Sequence, residues 1–276
     1  MSSSITDYAM LAALNIRQWS ARKLDRSVTA EVDKNHGAKD GGRYNKLLID
    51  KAALDPIEQV AGAARQYHYK VTLPWGINGE WLLPASLFMD YSTKMGEYRN
   101  SFENAVAVLI AAYPMHVQAA RQRLGTMYNA TEYPTNIKDR FEFKVDFSPV
   151  PTANDFRVKL SEDHLAAIRR DITVRIEERQ NQAVREVFDR ARKIVSKIHE
   201  QTVDTDRKIY DSTIDNAREF IELLPALNLT NDPILCQIEA DMRELLVPVE
   251  DLRKNKRIRA DTAKAANAIL TRLPWA

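Results

Sequence analysis

From Ser161 to Ala276 the chain contains no glycine, and this absence constrains the fold more than any other feature. A long stretch without the residue that best tolerates tight turns favours regular helix. The apolar residues there agree. Leu165, Ile168 and Ile172 are spaced by three and four. After the polar run "EERQNQ", Val184, Val187, Ala191, Ile194 and Ile198 repeat spacings of three, four, three and four. That pattern predicts a coiled-coil-like seam, interrupted once, whose expected use is contact with another chain. Ser161 followed by Glu162 and Asp163 reads as a cap and an acidic first turn. A single helix from Ser161 to Leu224 would be about 95 Å long at ~1.5 Å per residue, and a hairpin folded near "QTVDTD" satisfies the same pattern. "ALNLTNDP" is the next turn, and two helices divided near Pro248 fill the remainder.

All 8 glycines lie in the first 160 residues, where the character is mixed. "ALNIRQW" reads as a short strand, and "DRSVTAEVDKNHG" as a short helix starting at Asp25 and stopped by Gly37. "GAKDGGRYNK" is loop-like. A helix is predicted after Asp50, then extended segments around a turn at Asn78-Gly79. Another helix is expected from about Ala85 to Pro114, and a second from there to Gly125. "DRFEFKVDFSPV" alternates Phe141, Phe143, Val145 and Phe147 with mostly charged residues, as a half-buried strand does. The predicted class is α+β, predominantly α. A small mixed α/β module with a small sheet (1–160) precedes an elongated all-helical, coiled-coil-like module (161–276) ending in a basic helix.

Charge is unevenly spread. Residues 1–160 carry 20 basic and 17 acidic groups, residues 161–250 carry 13 and 19, and residues 251–276 carry 7 and 2. A basic tail after an acidic helical region can pair with that region, in its own chain or in a second copy. Alternatively, Arg253, Lys254, Lys256, Arg257 and Arg259, joined by Lys39, Arg43 and Lys46 of the glycine-rich loop, form a phosphate-binding surface. Tyr67, Tyr69, Trp75 and Trp81, interleaved with Arg65, His68 and Lys70, either stack single-stranded bases or pack the core of the small sheet.

Motifs for catalysis are missing. The five histidines fall in no zinc-binding spacing, and no phosphate-binding or nucleophile-elbow glycine motif occurs. "KDGGRYNK" has backbone N–H groups suited to an anion but lacks a strand–loop–helix context. The single Cys236 excludes an intrachain disulfide and reads as a small buried hydrophobe on a helix. No cofactor or metal is expected. The N-terminus lacks a basic signal-peptide start, and no apolar run reaches the roughly 20 residues of a membrane helix, so the expected location is cytoplasmic.

The segments "NIRQWSARKL", "KLLIDKAALDPIEQVAGAAR" and "GEWLLPASLFMDYSTKMGEYRNSFENAVAVLIAAY" leading to "DRFEFKVDFSPVP" resemble a family from tailed phages and phage-bearing bacteria, catalogued as a domain of unknown function. The resemblance spans roughly residues 12–160. It implies a phage origin and supplies no catalytic residue. The expected function is therefore non-enzymatic: self-assembly, or docking on a phage or host protein, through the helical module. A nucleic-acid-binding accessory of phage replication or recombination is the alternative.

Overall fold

The computed structural model describes residues 5–76, 79–153, 161–204 and 206–274. The chain is mostly helical, with a small antiparallel sheet contributed by its N-terminal part and long helices following. Its contacts cluster into two compact units. One comprises Met1–Ala13, Tyr69–Tyr91 and Asp146–Ala276, and the other Leu14–His68 and Ser92–Val145. Contacts are thus divided differently from the cut expected near residue 160, because two N-terminal segments belong with the C-terminal helices. Asn78 of the expected turn, and residues 154–160 at the expected boundary, lie outside the described residues.

In the first unit, β1 (Ala9–Arg17) begins against β5 (Glu80–Pro84), antiparallel, with Ala9 opposite Pro84 and Ala13 opposite Glu80. The two-residue β4 (Leu73–Pro74) adds to the other side of β5, with Leu73 opposite Leu82. With β6 (Glu142–Pro149), the strand order is β4-β5-β1-β6. Leu11, Leu73, Trp75 and Leu82 bury their side chains in one core with the helices. Those helices are α4 (Glu162–Val203), α5 (Asp211–Leu227), α6 (Pro233–Glu244), α7 (Val249–Lys254) and α8 (Lys256–Arg272).

The hairpin alternative holds, since α4 ends at Val203 and α5 starts at Asp211. The first half of α4 has no buried residue, and its packed stripe begins at Ala183. Ser161 occupies the N-cap position of α4, with its hydroxyl on His164 Nδ1 rather than on a backbone N–H. The expected seam is spent inside the chain. Val187, Ala191 and Ile198 are 1 %, 0 % and 1 % exposed, and Val184 and Ile194 pack at the edge of the same core. The main partner of α4 is α8, followed by α5. Heptad-like spacing specifies an apolar stripe on a helix, and any neighbouring helix can cover it.

Among the described residues, the C-terminal region holds three helices instead of two. Pro248 precedes α7, and Asn255 then breaks the chain by accepting hydrogen bonds from Arg257 N–H and Ile258 N–H at the start of α8. Cys236 is exposed, contrary to expectation. Leu235, Ile238 and Met242 form the buried stripe of α6, and a residue one position past Leu235 turns about 100° away from it.

In the second unit, the short ladder β2 (Arg22–Leu24) with β3 (Asn45–Leu47) flanks α1 (Arg26–Asn35). Asp25 caps α1, accepting from Ser27 N–H and Val28 N–H, and Gly37 leaves the helix at φ +59°, a conformation that favours glycine. Helix α2 (Asp55–Val71) buries Ile57, Ala61 and Ala64 here. Helix α3 (Phe88–Leu124) brings Phe102 against Phe141 and Phe143 of the strand region, ring centroids 6.4 and 5.7 Å apart. The expected break at Pro114 does not occur, as α3 runs through it. Pro114 forfeits one backbone hydrogen bond, and the flanking turns, anchored by Leu109 and Ala120 in the core, hold the helix together.

Candidate functional site

The cations singled out in the sequence separate sharply. Arg259 on α8 is 6 % exposed and donates to the backbone carbonyls of Gln201 (2.7 Å), Asp204 and Arg207. It thereby satisfies carbonyls at the C-terminal end of α4 and in the turn beyond, where a cation also complements the helix dipole. Arg253 donates to the Ile209 carbonyl and to Asp211 at 2.8 Å. It lies 3.4 Å from Glu250, and Lys254 pairs with Glu250 at 3.1 Å. The nearest recorded pairing of Arg257 is Asp261 at 3.9 Å, and both Arg257 and Lys256 are exposed. Arg253 and Arg259 thus reach α5, the end of α4 and the turn between them, while Lys254 and Arg257 pair, among the described residues, only within their own helices. Lys39 and Arg43 are exposed, in a loop tied back by Gly41 N–H to Asp33 and Tyr44 N–H to Thr29. Lys46 is not part of that surface.

Lys46 sits instead in β3, 5 % exposed, at the base of a polar cleft of about 1060 Å³ lined by β2, the start of α1 and residues 126–132. Its Nζ contacts Asp25 at 3.0 Å, Glu132 at 2.9 Å and the Met127 carbonyl at 2.6 Å. Three acceptors use all three ammonium N–H groups. The Ser27 hydroxyl, then Lys46 and the Val28 N–H, hold the Asp25 carboxyl far below the usual carboxylate range. Burial alone would lower the Lys46 pKa, but Glu132 and Asp25 outweigh it and the net shift is upward. Both charges are therefore locked on, as a structural clamp between α1, β3 and the 126–132 segment. A proton-transfer group instead needs a pKa poised near the working pH. The sequence marks Asp25 only as lying near a helix start; Lys46 joins it to Glu132, positions 21 and 107 residues from Asp25 in the chain.

The other histidine and aromatic candidates are dispersed. His68 is 1 % exposed, and burial lowers its pKa to about 4, so it is neutral at pH 7. His199 Nδ1 is 3.1 Å from the Ala263 carbonyl. Among the described residues no group of three His, Cys, Asp or Glu side chains could hold a metal ion. Trp75 belongs to the core, whereas Tyr69 and Trp81 pack against each other at 4.7 Å with Tyr69 45 % exposed. Phe147, expected in the core, is 43 % exposed with its ring edge-on to Phe88.

Tyr69 and Trp81 stand at one end of a groove between α4 and α5. Ile194, Phe220 and Leu223 provide its apolar surface. A second hollow, reaching Lys197, Gln201 and Tyr210, shares Lys193, Ile194 and Asn216 with the first, so the two adjoin along α4 and α5 and together make up the groove. Its α4 bank spans Glu186 to Gln201, about 22 Å at ~1.5 Å per residue. Its charged lining is Lys70, Arg190, Lys193 and Lys197 against Glu186 and Glu219. Glu186 pairs with Arg190 at 2.9 Å and Glu219 with Lys70. Arg190 also donates to the carbonyls of Lys70 and Thr72, fixing the aromatic end to α4. Lys193 and Lys197 are exposed, one helical turn apart, and have no ion pair among the described residues. The sequence signal for this groove was the pair Lys193 and Lys197 flanking Ile194, readable only once α5 is known to lie beside α4.

Comparison with protein-family models, with curated proteins and with solved structures finds no match. The fold and site therefore define a class only: a mostly helical α+β protein with a small antiparallel sheet. Among the described residues, no helix is long and apolar enough to cross a membrane.

Proposed function

We propose that this chain is a non-catalytic docking protein of phage origin, whose helical unit binds a partner protein in the groove between α4 and α5. The observation that carries this reading is the groove itself. It combines an apolar floor, an aromatic pair at one end and two lysines without an ion pair on one bank. Solvent-accessible aromatic and aliphatic side chains in a concave site are the usual anchor points of protein recognition. The polar cleft around Lys46 gives less support to a binding or catalytic role, since its central charges satisfy one another. Self-assembly through the Val184–Ile198 stripe drops out of the proposal, because that stripe packs within the chain.

The alternative reading, a nucleic-acid-binding accessory, loses Lys46 and Arg259 to burial. It retains Lys39, Arg43, Arg253, Lys254, Lys256 and Arg257 as exposed cations, of which Arg253 and Lys254 are already held in ion pairs. A displayed library of random peptides selected against the folded chain tests the docking reading. The expected result is that selected peptides lose affinity about tenfold or more with Trp81→Ala and Leu223→Ser. Peptides that bind equally well to those variants place docking elsewhere and refute the reading.

A further inference from the structure

We infer that the occupant of the α4–α5 groove is an acidic amphipathic helix of a partner protein, an inference that rests on the docking reading above. Three features of the groove select this ligand. The first is its shape. The end of the groove near Glu186 is lined by Phe220 and Leu223, and the end near Gln201 by Ser212 and Thr213, so α4 and α5 run antiparallel along it. Its length of about 22 Å matches some 15 residues of helix. A third helix laid between two antiparallel helices inserts its side-chain ridges into the seam between them.

The second feature is the backbone on either bank. Both banks are helices whose N–H and C=O groups are already paired internally, so an extended strand would find no ladder to join. Affinity must come from side chains reaching Ile194, Phe220, Leu223 and Trp81, the mode in which apolar residues at i, i+3, i+4 and i+7 anchor a helix.

The third feature is charge. Of the six charged groups lining the groove, both carboxylates are held in ion pairs within the chain, while Lys193 and Lys197 are not paired among the described residues. A basic ligand would meet like charge along the α4 bank, and an acidic one gains two complementary contacts. Single-stranded nucleic acid shares the negative charge but has no apolar stripe to cover Ile194 and Leu223, and Tyr69, 45 % exposed, offers it one ring for stacking.

The test uses the full chain and three fluorescent probes. One is a helical peptide of about 15 residues with Leu and Phe on one stripe and Glu elsewhere. The second keeps the stripe and replaces Glu by Lys. The third is an oligo-dT of about 20 nucleotides. The acidic peptide is expected to bind the wild-type chain, and to bind Lys193→Glu/Lys197→Glu about tenfold or more weakly, with the Lys peptide showing the opposite preference. Because both lysines are exposed, the variant keeps its fold, which circular dichroism verifies. Equal binding of the two peptides, or displacement of the acidic peptide by oligo-dT, overturns the inference. Concentration-dependent dimerisation abolished by the same double substitution assigns the groove to a second copy and also overturns it. If the acidic peptide fails while library-selected peptides still map to Trp81 and Leu223, the acidic helix is wrong and docking stands. If no selected peptide maps there, the docking reading itself has failed.

Discussion

Replacing Arg259 by Ala separates a structural cation from a phosphate-binding one. The residue is 6 % exposed, and its Nη2 serves three backbone carbonyls, those of Gln201, Asp204 and Arg207. Gln201 is buried, so water cannot readily replace its lost partner, and leaving a buried acceptor unpaired costs about 1–3 kcal/mol. Asp204 and Arg207 are exposed, and rehydration recovers most of what their carbonyls lose. Removing the aliphatic stem adds about 1 kcal/mol of lost burial. The total is about 3 kcal/mol, which for a unit of this size lowers the melting temperature by roughly 6–12 °C. Urea and thermal unfolding followed by far-ultraviolet circular dichroism measure it. Arg259→Lys retains the charge, but all three carbonyls converge on one nitrogen, Nη2, at the end of a longer side chain than lysine's, so about half the loss remains. An Arg259→Ala chain as stable as wild type, but weakened in binding to DNA, refutes this reasoning and restores the phosphate-binding role.

Two further outcomes follow from the packing and the buried charges. Asp25 has its carboxyl held below the ordinary value of 3.8, so the stability it contributes is present above pH 3.8 and lost as pH falls toward the depressed value. Lys46 is shifted above 10.5, so its contribution is complete below that pH and lost as pH rises through the raised value. Urea midpoints measured across pH should show both losses, and Asp25→Asn should remove the acid-side dependence that this residue contributes; an unchanged profile contradicts the clamp. Ala191→Leu, at a position 0 % exposed on the face of α4 that packs within the chain, should cost about 1–3 kcal/mol by overpacking and leave the mass in light scattering unchanged. A change of oligomeric state without loss of stability would instead put that stripe between chains.

Much of the local structure was legible in the sequence because its causes are local. Asp25 and Gly37 delimit α1, the alternation around Phe143 marks β6, and the helical spacing after Ser161 marks α4. Glycine scarcity and 3.6-residue periodicity are properties of neighbouring residues, and so is the mostly helical class they imply. Partner choice is not local. Val187 and Ala191 have the spacing of a seam between chains, and only the return of α8 along α4 decides that they are core. Likewise Lys46 resembles Lys39 and Arg43 in sequence, yet the β2–β3 ladder carries it inward to Asp25 and Glu132. The groove is the extreme case, since Tyr69, Trp81, Lys193 and Phe220 come from four separate segments of the chain. Which of them meet depends on chain closure, a sum over many weak long-range contacts that no short window of sequence contains.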